Sequence, residues 1–311
     1  MQQRQLSDTS IHTAPVIFGG NIFGWTVDEK RSFELLDAFV ASGFNMIDTA
    51  DSYSRWVPGN KGGESETIIG KWLKQKGNRE KIVIATKVGS DMGHGTDLSA
   101  KHIMKSVEDS LQRLQTDYID LYQSHFDDPN TSPGETIAAY DELIRQGKVR
   151  VIGASNLSRE RIEQSLQFSK EKGFAAYKTL QPLYNLYDRE IFETQYRDLC
   201  IENNISVIPY YSLASGFLTG KYRSEKDLGK SARGGGVKKY LTEKGNHILN
   251  VLDKVSAEHN ATPAQVAIAW LIAQPTVAAA IASSTSITQW EDLAKSASIK
   301  LSETDLKELA G

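Results

Sequence analysis

Cysteine is almost missing from the sequence: Cys200 is the only one in 311 residues. An internal disulfide is therefore excluded, and such usage fits a reducing compartment. Long hydrophobic runs are missing too. The most apolar stretch, residues 266–282, is broken by Gln274 and Pro275, short of the roughly 20 apolar residues that a membrane span needs. It reads as a buried helix followed by a buried strand. Residues 1–10 are polar and lack the apolar core of a signal peptide, and together with the cysteine usage this predicts a cytoplasmic protein. No charge sign dominates: 36 Lys and Arg stand against 39 Asp and Glu, a formal net charge of −3. Without a basic stripe to neutralise phosphates, neither nucleic acid nor an anionic membrane is an expected partner.

Several motifs are absent as well. No G-x-G-x-x-G opens a helix, which argues against a Rossmann-bound dinucleotide. Gly229-Lys230-Ser231 resembles the end of a phosphate loop, but Ser224 stands where the first glycine belongs. The six histidines show no His-x-x-x-His spacing and one cysteine makes no pair, so no metal site is predicted. No low-complexity tract or Pro-rich linker interrupts the chain, which predicts one domain over residues 1–311.

What is present is alternation. Short apolar, β-branched runs are followed by amphipathic stretches of helical length along the whole chain, the pattern of parallel strands joined by crossover helices. Strands are predicted at 16–19, 45–48, 82–87, 118–124, 149–153, 177–181, 205–210 and 277–281. Eight is the number that closes a (β/α)8 TIM barrel. Asp28, Ser99 and Thr262 with Pro263 mark helix starts, and Gly43 a helix end. Residues 3–13 predict a short hairpin across the bottom of the barrel. One connection breaks the rhythm: residues 211–245, rich in Gly, Lys and Arg, follow strand seven, and a loop that long at the active end of a barrel is functional or mobile.

Polar residues gather at the strand ends. Asp48 ends strand two with Tyr53 five residues on, Lys87 ends strand three, and His125 follows strand four. Each has an ordinary structural explanation when taken alone: an aspartate caps helices, a tyrosine packs, a histidine completes a hydrogen bond. Strand ends of a closed parallel barrel converge on one face, however, and that places a carboxylate, a phenol, an amine and an imidazole in one pocket.

The run Asp48-Thr49-Ala50-Asp51-Ser52-Tyr53, with the strand-ending Lys87 and His125, resembles the catalytic tetrad of the aldo-keto reductase superfamily. The resemblance continues through Gly153-Ala154-Ser155-Asn156, Gln181-Pro182 and the segment from Ile208 to Tyr222, so it spans nearly the whole chain in order. The long loop after strand seven is more similar to the bacterial and potassium-channel β-subunit branches. The resemblance implies NAD(P)H-dependent reduction of aldehydes or ketones of small molecules to alcohols. Tyr53 would donate the proton, and the Lys87 ammonium would bring down a phenol pKa that is ordinarily near ~10. Asp48 would hold Lys87, His125 would orient the carbonyl oxygen, and Trp25 and Trp56 would wall the substrate.

Cofactor contacts follow from the same resemblance. Asp48 would line the cofactor site; Ser155, Asn156 and Gln181 would bind the nicotinamide carboxamide, and Tyr210 would stack on its ring. Gly19, Gly20 and Asn21 would allow close approach. Ser212, Leu213, Gly216, Leu218 and Lys221 match the pyrophosphate loop. Two departures stand out. The basic residue expected at the 2′-phosphate is replaced by Thr285, leaving the hydroxyls of Ser283, Ser284, Thr285 and Ser286, with Gln289, at the start of a helix. NADP(H) is the expected preference, with NAD(H) possible. Tyr211-Ser212 stands where relatives have Ser-Pro. Two alternatives to the enzyme are a nucleotide-binding, redox-sensing subunit similar to potassium-channel β subunits, and an unrelated lyase or hydrolase on the same barrel.

Overall fold

The computed structural model describes residues 2–231 and 233–311; Met1, at the head of the polar opening, and Ala232, inside the long connection, lie outside the described residues. A hairpin of β1 (Arg4–Gln5) and β2 (His12–Thr13) precedes eight parallel strands. These are β3 (Val16–Gly19), β4 (Met46–Asp48), β5 (Val83–Val88), β6 (Ile119–Ser124), β7 (Val149–Ser155), β8 (Thr179–Gln181), β9 (Ser206–Val207) and β10 (Ala280–Ala282). Each pairs with the next, and β10 returns to β3. Closure between β9 and β10 is made by Val207 N–H to Thr276 O, Ala278 N–H to Val207 O and Ile281 N–H to Pro209 O. The architecture is the (β/α)8 barrel that the alternation predicts.

Helices begin where the sequence signals them. Asp28 caps Glu29–Ala41, Ser99 caps Ala100–Leu114, and Thr262 forms a capping box with Gln265 ahead of Pro263–Ile272. That last helix is buried along its length and leads to the buried strand β10. The predicted strand at 205–210 is shorter than expected. Pro209 has no N–H to donate to a ladder, so the regular strand ends at Val207, although Ile208 N–H still donates to the Leu180 carbonyl, Tyr210 N–H to the Pro182 carbonyl, and the Pro209 carbonyl accepts from Ile281.

Strand phase decides what fills the barrel. Ile17, Met46, Ala85, Leu121, Val151 and Ile208 pack together inside it, and Leu6 and Ile11 of the hairpin pack onto them from below. Side chains two residues apart on a strand share a face. The phase set by Ile17, Met46, Ala85 and Val151 therefore carries Gly19, Asp48, Lys87 and Ser155 inward at the other end. The opposite phase, with Phe18, Ile47, Ile84 and Ile152, packs in the larger core that includes the helices.

Candidate active site

At the carboxyl end of the strands lies a cavity of about 1150 Å3. Beneath its floor, which Asp48 and Tyr53 line, Lys87 is fully buried and donates from Nζ to Asp48 Oδ2 at 2.8 Å, to the Thr49 carbonyl at 2.8 Å and towards Tyr53 Oη at 2.9 Å. Tyr53 Oη donates to Asp48 Oδ2 at 3.2 Å. Gln181 Nε2 donates to the other oxygen, Asp48 Oδ1, at 2.8 Å. The carboxylate thus accepts from an ammonium, a phenol and an amide, which is how a buried charge is tolerated. His125 packs edge-on to Tyr53 with ring centroids 5.9 Å apart, and its Nδ1 lies 3.4 Å from Ser52 Oγ.

Burial governs the electrostatics. Burial first, and the Asp48 charge second, hold the Tyr53 phenol well above its ordinary value. This reverses the expected direction: the ammonium does not bring the phenol down, because desolvation and the adjacent carboxylate both oppose the phenolate. Burial lowers Lys87, with Asp48 opposing the shift. His125 is held well below its usual value by burial and then by the Lys87 charge, so its ring is neutral across the physiological range.

Most of the predicted cofactor residues share this cavity: Gly19, Asn21, Asp48, Ser155, Asn156, Gln181, Tyr210, Ser212, Leu213, Gly216, Lys221, Ser283, Thr285 and Gln289 all line it. Ser155 Oγ donates to the Gln181 carbonyl at 2.8 Å, and Tyr210 Oη to Asn156 Oδ1 at 2.9 Å. Tyr211, Ala214 and Ser215 all have positive φ, a concentration of backbone strain typical of ligand loops.

Four expected wall residues lie elsewhere. Gly20 sits under the wall, where a Cβ would meet Ser65 Oγ at 2.9 Å and the Asp48 carbonyl at 3.0 Å. Leu218 is fully buried in the core. Ser284 is 3% exposed and its hydroxyl is buried without a partner; among four consecutive hydroxyls the chain can turn only some towards the cavity. Trp25 stands behind Trp56, edge to face at 5.6 Å, and it is Trp56, 51% exposed, that reaches the cavity.

Other wall residues went unnoticed in the sequence. Arg233, from the long connection, lines the cavity, donates to Asn21 Oδ1 at 3.3 Å and lies over the Trp25 ring at 5.4 Å. The Gly- and Arg-rich composition around it was the available signal. Phe126 also lines the cavity, as do Lys230, Ser231 and Tyr211, which the sequence singles out for other reasons and not as wall residues.

The cavity fits a dinucleotide on the chain's own features. It exceeds the ~300–1,000 Å3 usual for drug-sized ligands. It runs from the tetrad to Thr285 and Gln289 at the start of the helix Ile287–Ala294, and among the described residues neither Lys221 nor Arg233 has a carboxylate partner.

No helix among the described residues is long and apolar enough to cross a membrane. The aldo/keto reductase family profile matches residues 15–311. The chain is 35% identical over 292 residues to the aldo-keto reductase YhdN of Bacillus subtilis, covering 88% of this chain and 82% of that one. It is 30% identical over 335 residues to the protein tas of Escherichia coli, covering 99% and 96%. It is 31% identical over 287 residues to norsolorinic acid reductase B of Aspergillus parasiticus, covering 86% and 73%. A barrel whose strand ends bring Asp48, Tyr53, Lys87 and His125 together, and a family match over nearly the whole length, lead to one statement: this chain belongs to the aldo/keto reductase family, and its general role is that of an oxidoreductase.

Proposed function

We propose that this protein reduces aldehydes or ketones of small molecules to alcohols with NAD(P)H, using Tyr53 as the general acid. The observation that carries this reading is the position of Tyr53 Oη, 2.9 Å from Lys87 Nζ and 3.2 Å from Asp48 Oδ2 at the floor of the cavity. The reduced nicotinamide, when bound, supplies the hydride. The protein does the rest. A carbonyl oxygen gaining negative charge takes the Tyr53 proton, which is available because the buried phenol is neutral. The phenolate left behind faces the Lys87 ammonium, a preorganised charge in a site of low polarity. Asp48 and the Thr49 carbonyl fix that ammonium. His125, neutral, donates a hydrogen bond that orients the carbonyl oxygen, and Trp56 gives the substrate an apolar wall.

When the cofactor is bound, Ser155 and Asn156 would hold its carboxamide and Tyr210 would lie against its ring. Gln181 does double duty, since its Nε2 is already committed to Asp48. The loop from Ser212 to Lys221 takes the pyrophosphate. NADP(H) is the preferred form: Lys221 and Arg233, which have no carboxylate partner among the described residues, bring positive charge to a wall that also carries Thr285 and Gln289. A cytoplasmic location belongs to the same proposal and rests on the lone, buried Cys200. The Aspergillus relative, a norsolorinic acid reductase by name, agrees with the direction of the reaction.

Titration of the pure protein with NADPH and NADH by tryptophan and nucleotide fluorescence, followed by steady-state turnover with aldehydes, tests this. Tighter NADPH binding and sustained turnover are expected. Failure to bind either dinucleotide would overturn the proposal, and binding without turnover would favour the redox-sensing alternative.

A further inference from the structure

Three residues beyond Asp48, a second buried ionic cluster occupies the far side of the same segment and takes no part in the scheme above. Asp51 is 7% exposed, and its Oδ1 is buried without a hydrogen-bond partner. Glu66, fully buried on the helix Glu64–Lys76, accepts from Thr86 Oγ1 at 2.5 Å and from Arg113 Nε at 2.7 Å. Thr86 immediately precedes Lys87 on β5, and Arg113 comes from the helix Ala100–Leu114. Tyr122 of β6, whose hydroxyl is also buried without a partner, and Tyr140 of the helix Pro133–Arg145 feel the same acid. The backbone ties this cluster to the tetrad. Asp51 N–H donates to the Lys87 carbonyl at 3.3 Å. The Asp51 carbonyl lies so close to Gly62 that a Cβ there would approach it to 2.9 Å.

Charge counting sets the problem. Lys87 is matched by Asp48 and Arg113 by Glu66, so an ionised Asp51 would be a third buried carboxylate facing two cations. Burial first and the Glu66 charge second raise its pKa to about 8, against the opposing pull of Arg113 and Lys87. Below that pH the cluster holds a proton that no element of the tetrad needs.

We propose, building on Tyr53 as the acid, that Asp51 is a positioning residue that acts through Lys87 on Tyr53, so that carbonyl reduction slows when Asp51 ionises. The protonated carboxyl leaves the Lys87 field free to stabilise the phenolate formed when Tyr53 gives up its proton. The ionised carboxylate draws on the same ammonium and adds a negative charge where a second one is about to form. It neither accepts nor donates the transferred proton.

The test is Asp51→Asn in the full chain, measured as kcat for aldehyde reduction at saturating cofactor across pH. The wild type should lose rate in a one-proton step near pH 8. The variant should match it at pH 6, because a neutral amide mimics the neutral acid, and should lack the step, with KM little changed in both. Equilibrium urea unfolding gives a readout that does not depend on turnover. A carboxyl whose folded pKa is raised binds its proton more tightly in the native state than in the unfolded one, so stability falls as pH rises from about 4 to about 8; Asp51→Asn should remove that fall. If Asp51→Asn does not fold, Glu66→Gln removes the neighbouring charge and should move the step to lower pH. A step near pH 8 that persists in Asp51→Asn, or that stays in place in Glu66→Gln, overturns the role of Asp51 alone. Wild-type protein with no turnover at any pH removes the reductase reading and this proposal with it.

Discussion

The two ends of the barrel are built from the same strands in the same phase, yet they do opposite things. At the amino end, inward residues such as Ile17, Met46 and Leu121 meet Leu6 and Ile11 of the hairpin and exclude water. At the carboxyl end, a short step further along the strands, the inward residues are Asp48, Ser155 and Gln181, facing an open cavity, with Lys87 fully buried beneath them. One end contributes hydrophobic stability; the other holds charges that cost stability and are retained only because each is hydrogen-bonded. A substitution at the closed end should therefore change folding without changing chemistry, and the reverse should hold at the open end.

The sharpest test at the open end is Tyr53→Phe. Loss of the acid should lower kcat by roughly 10²–10⁴-fold with cofactor affinity unchanged and stability lowered by no more than the about 1–3 kcal/mol of the lost hydrogen bonds to Asp48 and Lys87, as steady-state kinetics, fluorescence titration and thermal unfolding would report. Near-normal turnover would remove Tyr53 from the mechanism. Lys87→Met is expected to break the division, because it strands Asp48 as a buried charge without its cation. Denaturant unfolding should show a loss of about 3–5 kcal/mol, accompanied by slowed reduction. If stability is unchanged, the Tyr53 and Gln181 hydrogen bonds suffice to hold the Asp48 carboxylate.

At the closed end Leu6→Ala should cost about 2–5 kcal/mol while kcat and KM stay at wild-type values wherever the protein remains folded. A changed KM would mean that the hairpin is felt at the cavity. Smallest is the pair at the helix start. Thr285→Ala should weaken NADPH by about tenfold, the loss of one hydrogen bond to a charged phosphate, and leave NADH nearly unaffected. Ser284→Ala should alter neither, since its hydroxyl is enclosed. Equal wild-type affinity for the two cofactors would mean that Thr285 does not replace the basic residue whose place it takes.

Legibility followed regularity. Strand positions, the helix caps at Asp28, Ser99 and Thr262, and the inward path of Asp48 and Lys87 come from a period of two or from local capping, and both are written in consecutive residues. Trp25 and Ser284 defeat that reading because they lie in irregular segments where no period says which way a side chain turns. Arg233 is placed by a loop of short 3₁₀ turns whose path depends on contacts with Asn21 and Trp25, more than 200 residues away in the chain. Asp51 could be read as part of a motif, but its burial against Glu66 and Arg113 is a property of three elements packed together. In the cavity, convergence of distant residues was predictable from the closed barrel, whereas the direction of the Tyr53 pKa shift required knowing how deeply the site is enclosed.

The hairpin and the last strand carry a further consequence for synthesis. Arg4 Nη1 donates to the Ile272 carbonyl at 2.6 Å and to the Val277 carbonyl at 3.1 Å, and Val16 pairs with Ala280. These contacts join residues more than 260 positions apart in the chain. Until residue 282 has left the ribosome, β3 and β9 are both open sheet edges, and the bottom plug has only part of its seat. Contacts of such long sequence separation form late and slowly. The interval between translation of β9 and translation of β10 is when this chain is most exposed to edge-to-edge association, so silent changes that slow decoding of residues 208–280 should lower the soluble yield while leaving the finished protein unaltered.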